Sequence, residues 1–164
     1  MKNFLHFRWL VVLTLSASLS ACGFHLRSQV DIPFSSVYVE GSSASPLVGK
    51  LRKIITSGGH KNRLAKSAAT AERTIQIISE ASTMVILALN GAGQVAEYQL
   101  QYHAKYRLLA HDKDLVKPAE IILSRDMSYN NSQPYAYGDE ENFLYQDMQN
   151  DAAQQILRRI ALLH

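Results

Sequence analysis

The sequence predicts an α+β fold in which two amphipathic helices pack on one face of a mixed four-stranded sheet. Two segments, at 47–55 and 144–160, repeat apolar residues every three or four positions, which places those residues on one side of a helix. Between them, two long segments at 75–89 and 97–108 have a period of two, as half-buried strands do, and a third long strand is predicted at 115–127. Covering one face of a sheet with both helices is the simplest way to bury these apolar sides. Several strand orders satisfy the same alternation, so the order stays open.

The first two predicted elements are a short strand at 36–40 and a helix that begins at Ser45 and Pro46. Serine suits the cap of a helix, and proline suits its first position, where the missing N–H costs nothing. Gly58 and Gly59 end the helix, because glycine adopts the left-handed conformation found at helix ends. One face of this helix carries Leu47, Leu51, Ile54 and Ile55.

A hairpin of two long strands follows a basic, polar link at 60–72. The period of two predicts that alternate residues of the first strand share one face, namely Ile75, Ile77, Ser79, Ala81, Thr83, Val85, Leu87 and Leu89. Residues 90–93 predict the turn, since Asn and Gly tolerate positive φ. The returning strand has apolar residues at even positions 98–108 and polar residues at odd positions 97–107, which indicates one buried and one wet or partner-facing side.

The last two predicted elements are a strand at 115–127, after a turn at 111–114, and a long helix at 139–163. The loop between them reads NNSQPYAYG. The helix begins with acids at 139–141 and has Arg158 and Arg159 near its end, which is the arrangement that the helix dipole favours. Its buried stripe consists of Leu144, Met148, Ala152, Ala153, Ile156, Leu157 and Ile160.

The N-terminus has the layout of a secretory signal, with Lys2 and Arg8 before the apolar stretch 9–15 and small residues after it. This stretch is too short for a membrane-spanning helix, which needs about 20 residues. The single cysteine stands at the end of Leu19-Ser20-Ala21-Cys22, a segment that resembles the lipobox of bacterial lipoproteins. The alternatives are a retained transmembrane anchor, ordinary secretory cleavage and a chance free cysteine.

The lipobox resemblance implies cleavage before Cys22, an S-diacylglycerol on its sulfur and an N-acyl chain on its amine. Gly23, rather than Asp, implies the outer membrane as destination, with the body on the periplasmic side. The predicted organisation is a signal peptide at 1–21, a lipidated tether at 22–34 and a single domain at 35–164. Because Lys2 and Arg8 leave with the signal, the 17 basic residues fall to 15 against 14 acidic ones, a net charge of +1.

The sequence contains no pattern typical of an enzyme. It lacks the GxSxG, GxxxxGK[ST] and HExxH motifs, and its six histidines are scattered, so we expect no catalytic residues, no metal and no cofactor besides the lipid. A hydrolase with an unrecognised site is a third-ranked hypothesis. A basic cluster could meet lipid phosphates or form a solvated face, and it consists of Lys50, Arg52, Lys53, Lys61, Arg63 and Lys66. This basic cluster does not indicate nucleic-acid binding, because no aromatic residues are interleaved with it and the signal directs the chain out of the cytoplasm.

Two motifs and the final helix resemble the LPS-assembly lipoprotein family LptE, also called RlpB. The family opens its mature chain with C-G-[FW]-H-L-R, which reads CGFHLR here at 22–27. It also carries G-Q-x-A-E-Y-Q-hydrophobic on a central strand, which reads GQVAEYQL at 93–100. The order of elements over the mature chain agrees as well.

This resemblance implies an outer-membrane lipoprotein that partners and plugs the LptD β-barrel, assisting its assembly and the delivery of lipopolysaccharide to the outer leaflet. The turn that would contact the barrel or lie near lipopolysaccharide consists of Asn90, Gly91, Ala92 and Gly93. The alternative function is a periplasm-facing glycolipid-binding lipoprotein that acts without a barrel.

One departure from the family concerns phosphate binding. Some members carry a basic residue in the turn before the GQ and another in the loop before the last helix. Here neither the turn nor the segment 135–138 contains Lys or Arg. If lipopolysaccharide phosphates are bound, the candidate residues are Lys105, Arg107 and Arg125 on the strands.

Overall fold

The computed structural model describes residues 32–57, 64–110, 113–130 and 134–163. The helices are α1 (Pro46–Ser57) and α2 (Pro134–Ala161), and a single 3₁₀ turn spans Ala68–Thr70. The strands are β1 (Val37–Glu40), β2 (Arg73–Leu89), β3 (Val95–Ala110) and β4 (Lys113–Ser128). The predicted α+β class, with two helices on a mixed four-stranded sheet, is confirmed. The predicted helix end at Gly58 and Gly59 lies outside the described residues.

The strand order is β1-β2-β3-β4, which the sequence left open. β1 pairs with β2 in parallel, over 37–40 against 73–76, while β2–β3 and β3–β4 are antiparallel. Parallel neighbours need a crossover connection, and α1 lies within the one that joins β1 to β2. The connection returns the chain to the same sheet with α1 packed on it.

The core lies between the helices and one face of the sheet. β3 supplies the central row, which is fully or almost fully buried, as the strict alternation predicts: Leu100, Tyr102, Ala104, Tyr106 and Leu108. The predicted faces of α1 and α2 meet this row through Leu47, Leu51, Met148, Ile156 and Ile160, among others. Ile32 and Phe34, the last apolar residues of the predicted tether, are also buried in this core.

A β-bulge at Ile78 reverses the faces of β2. Ile77 pairs with Tyr106 and Ser79 pairs with Lys105, so β2 uses one residue more than β3 between these pairs. The prediction that one face carries all alternate residues from Ile75 to Leu89 is therefore wrong beyond Ile77. After the bulge the helix-facing residues are Glu80, Ser82, Met84 and Ile86, because their partners on β3 face the helices.

The start of α2 also differs from the prediction. The helix begins at Pro134 rather than near 139, so residues 135–138, predicted as loop, are helical. Proline suits the first helical position, and the Tyr137 hydroxyl hydrogen bonds with both backbone groups of Asn130. The Tyr137 ring also lies 4.5 Å from the Tyr129 ring, centroid to centroid. These contacts stabilise an extra helical turn that the apolar stripe does not reveal.

A polar cluster joins the start of α1 to the sheet. Ser45 caps α1, because its Oγ accepts a hydrogen bond from Val48 N at 3.1 Å, and it donates to the Glu80 carboxylate. The Tyr102 hydroxyl donates to the other Glu80 oxygen at 2.7 Å. Burial, and then the Glu80 carboxylate, raise the pKa of Tyr102 well above its ordinary value.

We expect this cluster to make stability fall at alkaline pH. The unfolded chain releases the Tyr102 proton near pH 10 while the folded chain keeps it, so the stabilisation is complete below about pH 10 and declines above it. When the pH rises from 9 to 11, the free energy of unfolding of Tyr102→Phe should therefore fall by about 1.4 kcal/mol less than that of the wild type. Urea unfolding of both proteins at the two pH values measures this difference, and equal losses would contradict it.

Candidate functional site: the hairpin tip and the open face

The predicted turn forms the exposed tip of the β2–β3 hairpin. Asn90 organises it, since its Oδ1 accepts hydrogen bonds from Ala92 N at 2.9 Å and Gln94 N at 3.0 Å. Gly93 has a φ of 77°, which favours glycine, and a side chain added at Gly91 or Gly93 would meet nothing within 4 Å. The tip is thus held by its own hydrogen bonds and presents an uncharged, exposed surface.

Arg107 belongs to a row of polar side chains that crosses all four strands on the open face, the face away from the helices. Gln76 Nε2 donates to Glu40 Oε2 at 3.1 Å, and Arg107 Nε donates to Gln76 Oε1 at 2.6 Å. Arg107 Nη1 also lies 3.3 Å from Asp114 Oδ1. Since these contacts engage most of its guanidinium, Arg107 ties the strands together rather than presenting a free cation.

Lys105 is the exposed basic candidate. It lies on the open face beside Glu120, its partner on β4, and forms no hydrogen bond or ion pair with the described residues. The rest of the β3 row on this face is polar, with Glu97, Gln99, Gln101 and His103. This row is suited to water or to a polar surface.

Arg125 lies on the opposite side of the sheet from Lys105 and Arg107. Its register partner on β3 is Leu100, which is buried under the helices. Its Nη2 is 3.1 Å from Asp147 Oδ2 and 2.7 Å from Asp151 Oδ2, both on α2. The structure therefore does not bring the three basic candidates together, and the charge of Arg125 is already paired.

This pairing predicts a structural role for Arg125. Arg125→Ala should lower the free energy of unfolding by about 1 kcal/mol, a modest value because all three side chains are partly exposed. Arg158→Ala is the matched control, since Arg158 is exposed and its guanidinium has only a 3.4 Å contact with Gln154. Urea unfolding of the two variants checks this prediction, and equal stabilities would contradict it.

The basic cluster around α1 also contains residues with different roles: one is engaged within the fold and others are exposed. Arg52 Nη2 donates to the Val39 carbonyl at 2.9 Å and so joins α1 to β1. Lys53 and Lys66 are exposed, while Lys61 and Arg63 lie outside the described residues, as does Cys22. Within the described ranges no group of three or more His, Cys, Asp or Glu side chains could hold a metal ion. No helix among those residues is long and apolar enough to cross a bilayer.

The outer half of β2 is an apolar surface that a period of two does not predict. It is exposed on both faces of the sheet through Met84, Val85, Ile86, Leu87 and Leu89. Contiguous exposed apolar surface of this kind marks interaction sites. The sequence does contain a signal for it, because every residue of 84–89 is apolar and none alternates with a polar one.

Comparison with known proteins gives a consistent result. A family model described as "LptE: Lipopolysaccharide-assembly" matches residues 34–160. The LPS-assembly lipoprotein LptE of Pectobacterium atrosepticum is 24% identical over 166 aligned positions, covering 97% of this chain and 88% of that protein. The protein of the same name from Yersinia enterocolitica is 25% identical, covering 94% and 76%.

Two solved structures share the fold. The solution structure of lipoprotein B from Nitrosomonas europaea has a TM-score of 0.73 and 34% identity, over 85% of this chain and 90% of that one. The crystal structure of rare lipoprotein B from Shewanella oneidensis has a TM-score of 0.67 and 24% identity, over 77% and 93%. At that identity the second comparison shows the fold alone.

Proposed function

The chain belongs to the LptE lipopolysaccharide-assembly family, and on that premise we propose that it is a lipoprotein of the outer membrane that partners and plugs the LptD β-barrel. In this role it assists barrel assembly and the delivery of lipopolysaccharide to the outer leaflet, without catalysis. The observation that carries the proposal is the family match, which spans residues 34–160 and therefore the whole sheet, α1 and all but the last residue of α2.

The open face and the tip support the plug role. Large barrels enclose a polar interior, so a plug needs a polar surface rather than an apolar one. The β3 row on the open face, from Glu97 to Arg107, meets this requirement. The exposed tip at 90–93 stands farthest along the hairpin and is the proposed point of contact with the barrel wall.

The anchor is proposed at Cys22. Lipid there would hold the chain on the periplasmic side of the outer membrane through a tether that leads into Ile32, which is the first residue that the structure describes and is buried. Several acyl chains are needed for stable attachment, because one chain alone binds reversibly. The proposed lipids on the sulfur and on the amine of Cys22 supply them.

Co-purification tests the partnership. We would express the full precursor with a C-terminal tag in its own host, solubilise outer membranes in mild detergent and identify the recovered proteins. The expected result is one large barrel protein in near-equal amount. A correctly localised, folded lipoprotein recovered without any barrel would contradict the proposal.

A matched pair of variants tests the tip. Ala92→Glu adds a large, negatively charged side chain to the exposed turn and should reduce barrel recovery at least several-fold. Ala69→Glu makes the same change in the exposed 3₁₀ turn and should leave recovery unchanged. Equal recovery with both variants would remove the tip from the proposed contact.

The exposed apolar part of β2 favours a second candidate function, in which the protein binds a glycolipid without a barrel. Val85 and Leu87 offer surface that acyl chains could cover. Lipopolysaccharide retained by a preparation free of any barrel protein would favour this function over the plug.

A further inference from the structure

One edge of the sheet is left open along most of β2. β1 pairs only with 73–76, so from Ile77 to Leu89 the outer edge of β2 has no strand partner among the residues that the structure describes. This stretch is roughly 40 Å long at about 3.3 Å per residue. An open edge presents backbone N–H and C=O groups that can pair with another extended chain.

The two outer edges of the sheet differ in how they are protected. Charged residues and proline discourage pairing at an edge, and β4 has Lys113, Asp114, Lys117, Pro118, Glu120, Arg125 and Asp126. The open stretch of β2 has no proline and a single charged residue, Glu80, whose carboxylate already binds Ser45 and Tyr102. The sequence therefore protects the β4 edge and leaves the β2 edge suited to pairing.

The local geometry limits what can pair there. Register shifts at Ile78 and Leu87 bound a regular stretch at 79–86, which is eight residues long. At its start a cavity of about 410 Å³ lies between 77–82 of β2, the segment 42–46, where the chain leaves β1, and Gln149 of α2. A strand entering this cavity would lie against β2 directly beyond β1.

We propose that the β2 edge at 79–86 binds, by addition of a strand, an extended segment of about eight residues with apolar side chains at alternating positions. The inference rests on the proposed function, since the segment comes from the barrel partner. It must lie outside the closed wall of the barrel, because a closed barrel has no free edge. The edge is also continuous with the tip at 90–93, so one partner covers both.

A single segment fits this edge better than a second copy of the chain. The Tyr145 hydroxyl of α2 donates to the Thr83 carbonyl at 2.9 Å, and that oxygen keeps a second lone pair for an added strand. β1 occupies the same edge of β2 at 73–76, directly before the open stretch. A second copy paired antiparallel over 79–86 would carry its own residues 87–89 and its tip past this stretch and into the space of β1. An extended segment of about eight residues ends before β1.

Photo-crosslinking in the host tests this inference. The probe is a photoreactive residue at position 85 of the full lipoprotein, with position 122 as control. Val85 and Ile122 are both exposed and apolar, 44% and 60% accessible, and both lie on the open face of a strand that, among the described residues, has no neighbour on one side at that position. We expect position 85 to crosslink to a segment outside the barrel wall, and position 122 not to crosslink there. Crosslinks from position 85 to a second copy, or to lipid alone, would overturn the inference.

Hydrogen exchange supplies the readout specific to backbone pairing. In the purified complex, amides within 79–86 should exchange at least ten-fold more slowly than in the free lipoprotein, while the edge amides of β4 should not change. Val85→Lys should reduce barrel recovery about ten-fold and Ile122→Lys should not. If the wild type recovers no barrel, the proposed function fails; if it recovers the barrel but 79–86 exchanges at its free rate, this inference alone fails.

Discussion

Replacing Gly41 with alanine is expected to lower the free energy of unfolding by about 1–3 kcal/mol, the usual cost of overfilling a packed core. Gly41 follows β1, where the chain turns away from the sheet. A Cβ there would lie 2.7 Å from Val48 Cγ2 and 3.2 Å from Ile77 Cβ. Both neighbours are buried, so neither can move aside without disturbing the contact between α1 and β2.

Gly49→Ala is the matched control and should have the opposite sign. Gly49 lies inside α1, and a Cβ there would meet nothing within 4 Å. Alanine is more favourable than glycine in a helix by about 0.5–1 kcal/mol, so this variant should be more stable than the wild type. Urea unfolding of both variants in the same detergent decides the matter. A Gly41→Ala protein as stable as the wild type would contradict the close approach.

Removing the anchor is expected to have the largest functional effect. If residues 1–22 are replaced by an ordinary cleavable secretory signal and the protein is produced in excess over the barrel, the excess should move from the membrane to the soluble periplasmic fraction, with at least a ten-fold loss from the membrane. Each buried methylene contributes about 0.8 kcal/mol, and without Cys22 no acyl chain remains.

Fractionation followed by immunoblotting measures this redistribution, with the native precursor as control. Mass spectrometry of the native protein should find acyl chains on Cys22 at the mature N-terminus. A signal-swapped protein whose excess over the barrel stays in the membrane fraction at the native level would refute lipid on Cys22 as the anchor.

The sequence predicts the parts of this fold that follow from local pattern. β3 alternates strictly because one of its faces meets both helices, and its buried row is the one predicted. The start of α1 is predicted because Ser45 and Pro46 act within one turn of the helix. For β3 a single uniform environment along one face determines the structure. For the start of α1 the determining interactions involve neighbours in the sequence.

The bulge and the start of α2 escape prediction because contacts outside the local apolar pattern determine them. On β2 both sets of alternate residues contain apolar side chains, so the sequence pattern allows either set to face the helices. The hydrogen bonds of Glu80 with Ser45 and Tyr102 determine which set does so beyond the bulge. Likewise the first turn of α2 is held by the contact of Tyr137 with Asn130 across residues that carry no helical stripe.

The candidate site was predictable only in part for the same reason. Asn90 and Gly93 indicate a turn whatever the arrangement of the strands in the sheet, and the structure has a turn at these residues. The side of the sheet on which Arg125 lies cannot be read from β4, because Ile121 and Ile122 are adjacent and apolar while one is buried and the other exposed. Its partners, Asp147 and Asp151, are more than twenty residues away.

The row formed by Glu40, Gln76, Arg107 and Asp114 gives the two ends of the sheet different mechanical properties. It braces all four strands near the end where β1 enters, whereas the far end of the hairpin has only two or three strands. Bending should therefore concentrate beyond Ile77, at the bulge, so that the braced end stays rigid and the hairpin moves relative to it. The tip of the hairpin can then adjust to an irregular cavity, while the braced end, nearest the tether, keeps its shape.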